Sequence, residues 1–153
     1  MIIIIEGPDG SGKSTLAEQL AKQTGFLLMH RSQPKTEEEK QNMMAEYLQV
    51  IKAGKNVIMD RCWYSEMVYG PIMRDETCIS YPEMYELEKL LCRNGALIIY
   101  CTASHAVLWK RCQARGEDYI TDIITHQKIC EGYDALMRVP HLIPVVRYEY
   151  EDM

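Results

Sequence analysis

The chain has 153 residues, 47% of them apolar and 25% charged, with a formal net charge of −5. These values describe one globular domain, spanning 1–153, with enough residues for a real core. The acidic balance disfavours broad binding to nucleic-acid backbone, although a few local cations can still hold an anionic substrate. No apolar run approaches the roughly 18 residues that span a bilayer. The N-terminus is expected to be a strand and not a signal peptide, which makes a cytoplasmic protein the expectation.

Met1 to Ile5 is a continuous apolar, largely β-branched run, the pattern of a central parallel strand buried on both faces. Glu6 to Thr15 follows as EGPDGSGKST, in which Gly7, Gly12, Lys13 and Ser14 satisfy G-x-x-x-x-G-K-[ST]. Glycine lets the backbone turn there, and successive N–H groups of Gly10, Ser11, Gly12, Lys13, Ser14 and Thr15 can form a nest for ATP phosphate oxygens. Lys13 brings a compact charge to the β- and γ-phosphates, and the Ser14 hydroxyl can ligate Mg²⁺. A helix from Lys13 carries Leu16, Ala17, Leu20 and Ala21 on one face and ends at Gly25.

Phe26 to His30 reads as a second strand, broken by Arg31-Ser32-Gln33-Pro34. Thr36 and Glu39 make a capping box for a helix over Glu37 to Ala53. Val57 to Met59 is a third buried strand, closed by Asp60-Arg61. Cys62 to Met73 is helix-compatible until Gly70-Pro71, which should break or bend it. Ser80 and Glu83 cap a helix over Tyr81 to Arg93, and Ala96 to Cys101 is a fourth strand. Ser104 caps a helix to about Ala114. A polar break, Arg115-Gly116-Glu117-Asp118, leads to a final helix before Pro140 and a last strand over Leu142 to Tyr148.

Strands alternating with helices at this spacing predict an α/β fold: a five-stranded parallel sheet with helices on both faces, in three layers. Ligands of such sheets sit beyond the carboxyl ends of the strands. The loop at Gly7, the turn at Arg31 and the Asp60-Arg61 pair should therefore converge. Asp60 can hold Mg²⁺ or its waters, and Arg61 can clamp a phosphate with two parallel bonds. Arg111 and Arg115 share a helix face beside a short lid near 111–119, and a mobile arginine can stabilise a transferring phosphoryl group. Asp9 should face the acceptor side of the loop, since it would repel nucleotide phosphates. Trp63, Tyr64, Tyr69 and Arg74 flank Asp60-Arg61 and fit core packing better than base stacking. The six cysteines form no C-x-x-C pair and read as buried reduced thiols, with no metal cluster expected.

Two segments resemble the thymidylate kinase family. E-G-P-D-G-S-G-K-S-T at 6–15 is similar to its E-G-x-D/E-x-x-G-K-[ST] loop, and D-R-C-W-Y-S-E-M-V-Y at 60–69 to its D-R-[YH]-x-x-S-x-x-A-[YF]. R-G-E-D-Y with Tyr133, Leu136 and Met137 resembles the family's lid and following helix more loosely. The wider superfamily includes deoxynucleoside kinases and small phage-encoded P-loop kinases, which this chain resembles in length. The resemblance implies that Asp9 contacts the acceptor 3′-hydroxyl and that Arg31 and Arg61 grip the acceptor phosphate. It also implies that Asp60 assists Mg²⁺ and that Tyr69 lies near the acceptor base. Cys62 departs from the family's Tyr or His, and the lid is compact.

A nucleoside kinase must deprotonate a neutral hydroxyl, and the resemblance implies a carboxylate base just after the second strand, where here no acid occurs before Glu37. A nucleoside monophosphate is already ionised and needs cations instead. The expected activity is therefore transfer from Mg-ATP to a deoxynucleoside monophosphate, dTMP or a pyrimidine analogue. The alternatives are a deoxynucleoside kinase, a kinase of modified pyrimidines in DNA, a small-metabolite kinase and a non-catalytic nucleotide-binding protein. A GTPase is disfavoured by the lack of N-K-x-D. The expected partners are small nucleotides and no membrane. Nucleic acid is disfavoured, and a homodimer is left open.

Overall fold

The computed structural model describes residues 1–31, 34–116, 120 and 122–149. Among these residues five strands form one parallel sheet in the order β2-β3-β1-β4-β5. They are β1 (Ile2–Glu6), β2 (Leu27–His30), β3 (Val57–Asp60), β4 (Ala96–Thr102) and β5 (Val145–Glu149). The helices are α1 (Lys13–Thr24), α2 (Glu37–Lys52), α3 (Trp63–Tyr69), α4 (Tyr81–Asn94), α5 (His105–Arg115) and α6 (Ile123–Arg138).

The isoleucine run of β1 explains the layering. Strand side chains alternate in direction, so Ile2 and Ile4 enter one core and Ile3 and Ile5 the other. The larger core holds Tyr47, Trp63, Leu87, Ile129 and Tyr133, and the smaller holds Ala17, Ile58 and Cys101. Truncating a fully buried isoleucine such as Ile4 removes packing on this central strand and costs about 2–5 kcal/mol. The edge strands β2 and β5 are half exposed, as edges allow.

The local signals act largely as read. Ser80 and Glu83 make both bonds of the capping box. Thr36 accepts from Glu39 N, but the Glu39 carboxylate accepts from Lys35 N, one residue before the cap, so that box is only half formed. Gly70-Pro71 does not stop the chain from turning: a π-helical segment, Gly70–Arg74, carries it off the end of α3. A Cβ on Gly70 would lie 2.5 Å from the Glu76 carbonyl, so glycine permits that close return. Trp63 and Tyr64 are fully buried core residues. All six cysteines are thiols; Cys92 lies exposed rather than buried.

Candidate active site

Register alone gathers the first residues of the site. Ile5 and His30 both pair with Asp60 across β3. The ladder then runs one step further, with Arg61 N donating to Ile5 O at 3.0 Å and Arg31 N to Asp60 O at 3.2 Å. Glu6, Arg31, Asp60 and Arg61 therefore lie together at the carboxyl edge of the sheet.

The loop between β1 and α1 crosses above them. Gly10 and Gly12 have φ of 88° and 80°, a region L side chains enter at a cost. A Cβ on Gly10 would stand 2.5 Å from the Leu108 carbonyl, so the loop leans directly on α5. Ser11 is buried, and Ser14 and Thr15 are exposed on the first turn of α1. Lys13 is 8% exposed. Burial and the Arg61 charge lower its pKa to about 8, against the pull of Asp9, Asp60 and Glu6.

Ser14 Oγ donates to Asp60 Oδ2 at 2.8 Å, and His30 Nδ1 lies 2.8 Å from the same oxygen. Asp60 Oδ1 is buried with no hydrogen-bond partner among the described residues. A hydroxyl beside a carboxylate with an unsatisfied oxygen suits a hard divalent cation.

Arg61 is the hub. It adopts φ 72°, an unusual conformation for a side chain of this size, worth about 1–3 kcal/mol of strain. Glu6 holds the turn in place: one oxygen accepts from Cys62 N and Ser65 N, the other from Ser65 Oγ and Tyr133 OH. Glu6 is fully buried, and burial raises its carboxyl pKa while the Arg61 charge and these donors pull it back. The Arg61 guanidinium donates to Ser65 Oγ and Tyr133 OH through Nη1, both at 3.0 Å. Through Nη2 it donates to Asp9 Oδ1 at 2.9 Å and Tyr69 OH at 3.3 Å. Tyr69 OH donates in turn to Asp9 Oδ2. The Tyr69 hydroxyl is thus committed to the Asp9–Arg61 pair. Arg31 pairs with Glu46, lies over the Tyr47 ring and lines one cleft with Arg61, Met29, Val50 and Met59.

The structure brings Asp9, Lys13, Ser14, Asp60, Arg61 and Tyr69 into one cluster, with Arg31 across the cleft. Arg111, on α5, donates to the Gly10 carbonyl of the loop at 3.3 Å. Arg115 is exposed at the last position of α5. The Glu117-Asp118-Tyr119 part of the expected lid lies outside the described residues, as do Ser32 and Gln33. Sequence reasoning gave no role to Glu6, Ser65, Tyr133 or Glu46. Glu6 carried a readable signal, since an acid ending a fully buried strand must find donors.

A phosphate-type loop on the central strand of a parallel α/β sheet, with an Asp-Arg pair on its neighbour, defines a P-loop NTPase domain of kinase-like fold. The family model AAA_33, an AAA domain, matches residues 2–132, and the chain belongs to that family. YorR, an uncharacterized protein derived from the SPbeta prophage of Bacillus subtilis strain 168, is 29% identical over 119 residues, covering 78% of this chain and 72% of YorR. The crystal structure of YorR in complex with phosphorylated GDP matches 99% of this chain and 85% of its own, with a TM-score of 0.80 and 27% identity. Deoxyadenosine kinase from M. mycoides with bound dATP has a TM-score of 0.65 at 16% identity, over 97% of this chain and 91% of that one. At that identity the likeness is one of fold. Among the described residues no helix is long and apolar enough to cross a membrane.

Proposed function

We propose that this protein transfers the γ-phosphoryl group of Mg-ATP to a deoxynucleoside monophosphate, with dTMP or a close pyrimidine analogue as the first candidate. The observation that carries the reading is that two arginines, Arg31 and Arg61, line one cleft at the carboxyl edge of the sheet. A monophosphate arrives ionised, and two cations can hold it without a base. The acceptor phosphate oxygen attacks the γ-phosphorus while the β–γ bridging oxygen departs with ADP. Lys13 steadies charge on the transferred group, and Arg111 and Arg115 stand on the helix beside the loop to assist it. Asp9, fixed by Arg61 and Tyr69, keeps lone pairs for a sugar hydroxyl.

Ser14 and Asp60 would hold Mg²⁺, a fit supported by the buried, unpartnered Asp60 Oδ1. When bound, the ion neutralises charge on the phosphates. The YorR complex with phosphorylated GDP supports nucleotide binding in this fold. The two thymidylate-kinase-like segments support the pyrimidine choice.

A second reading, a nucleoside kinase, rests on the His30–Asp60 pair, an imidazole and carboxylate 2.8 Å apart at the strand ends. The test is a panel of nucleosides and nucleoside monophosphates, guanine included, with ATP and Mg²⁺ and chromatographic detection of products. Diphosphate from dTMP with no product from thymidine supports the proposal. Monophosphate product from nucleosides alone overturns it.

A further inference from the structure

Next to the phosphate loop, α5 and α6 bring two histidines and a cysteine together. His126 is fully buried. Its Nε2 lies 3.1 Å from the Asp9 carbonyl oxygen and 3.5 Å from the Cys112 sulfur. A carbonyl only accepts, so Nε2 carries the ring proton and Nδ1 presents its lone pair. Nδ1 faces the Cys130 sulfur at 3.7 Å, one helical turn further along α6. The third member is His105, the first residue of α5, whose ring lies 5.1 Å from that of His126. Its Nε2 is buried with no hydrogen-bond partner among the described residues. One ligand atom from each of His105, His126 and Cys130 can be chosen so that all lie within 4.8 Å of one another. Trp109 packs on the His126 ring at 5.3 Å and gives the cluster an apolar wall.

A thiol–imidazole hydrogen bond in an ordinary core accounts for His126 and Cys130. It leaves His105 Nε2 unsatisfied, which costs roughly 1–3 kcal/mol. A cation among the three groups satisfies it.

We propose that His105, His126 Nδ1 and Cys130 form a Zn²⁺ site, with water in the fourth position. Two imidazoles and a thiolate are a zinc donor set, and closing on the ion requires the ligand atoms to approach by about 1 Å. The His126–Asp9 bond is the contact that a ligating histidine makes with its other ring nitrogen, fixing tautomer and orientation. Binding replaces the Cys130 S–H bond with a sulfur–zinc bond and releases the proton to solvent, with no change of oxidation state. The ion would tie the first turn of α5 to α6 and steady the Asp9 backbone, whose side chain pairs with Arg61. The inference stands apart from the kinase reading, because it concerns residues that touch neither proposed substrate.

The test uses the full chain stripped with chelator, then titrated with Zn²⁺ against a chromophoric chelator and with Co²⁺ for spectroscopy. The expected result is a single zinc per chain and a thiolate-to-cobalt charge-transfer band. Cys130→Ser should abolish the band. Both Cys130→Ser and His105→Ala should weaken zinc by at least about 10–100-fold, the range that loss of mere supporting contacts already reaches. Cys92→Ser, at an exposed thiol elsewhere, should change nothing. Should Cys130→Ser fail to fold, His105→Ala decides. Absence of stoichiometric zinc, or zinc affinity unmoved by His105→Ala, overturns the proposal.

Discussion

Among the described residues two carboxylates are completely buried, and they differ in the cation that answers them. Glu6 and Glu88 both have no exposed surface, and each collects a tyrosine hydroxyl and at least one backbone N–H. Glu6 is answered by Arg61, which is charged at every working pH and reaches on to Asp9 in the cleft. Glu88 is answered by His141, whose Nδ1 lies 2.8 Å from it and whose Nε2 lies 2.8 Å from the Leu136 carbonyl. Both imidazole nitrogens face acceptors, the arrangement of an imidazolium. Burial opposes that charge, but Glu88 and the Leu136 carbonyl outweigh it and raise the His141 pKa. One network thus serves the site and is held by a cation that does not titrate. The other ties α4 to the chain entering β5 and titrates.

The two networks differ most at Arg61. Arg61→Ala leaves Glu6 fully buried without its cation and takes from Asp9 its nearer one, so we expect a loss of about 3–5 kcal/mol in denaturant unfolding. It should also abolish acceptor turnover. Glu88→Gln should cost about 1–3 kcal/mol with the acceptor KM unchanged. Equal losses of acceptor turnover from both variants would erase the distinction between the networks.

Lys13 is a third buried charge, present for chemistry rather than folding. Lys13→Ala should lower kcat by about 10²–10³ without lowering stability, since burial of its charge disfavours the fold below about pH 8. Turnover and a melting curve on the same sample check this. Arg31→Ala should raise the acceptor KM alone, by the roughly 1.5–3 kcal/mol of one charge-assisted contact, as steady-state kinetics with ATP and acceptor varied separately would reveal.

The smallest expected effects are those of pH. His141 has a raised folded pKa, so its contribution to stability is complete below its ordinary value of about 6.5 and is lost as pH rises through the folded value. Lys13 has the opposite sign. Its pKa is lowered to about 8, so stability grows as pH rises from there towards its ordinary 10.5, while kcat/KM falls as the free protein loses the cation. Melting temperature against pH for the native chain and His141→Gln separates the two: only the first slope should vanish.

The legible part of the molecule was the part written in local pattern. The β1 isoleucines, the glycines at 7, 10 and 12 and the caps at Ser80 and Ser104 specify their own geometry within a few residues. Sheet register then carries Asp60 and Arg61 to the loop without further information. The long-range partners were not legible. Tyr133 reaches Glu6 from α6, Glu46 reaches Arg31 from α2, and His126 reaches Asp9, each across a separation that no periodicity records. The contact of Arg111 with Gly10 depends on how closely α5 packs on the loop, which only the fold determines.

The choice of acceptor is decided by competition between thymidine and its monophosphate under saturating Mg-ATP. The two differ only in the phosphate that Arg31 and Arg61 are proposed to hold. The account predicts diphosphate from the monophosphate, no product from thymidine, and little change on His30→Ala. Preferential phosphorylation of thymidine, abolished by His30→Ala, would contradict it and assign the His30–Asp60 pair the role of base.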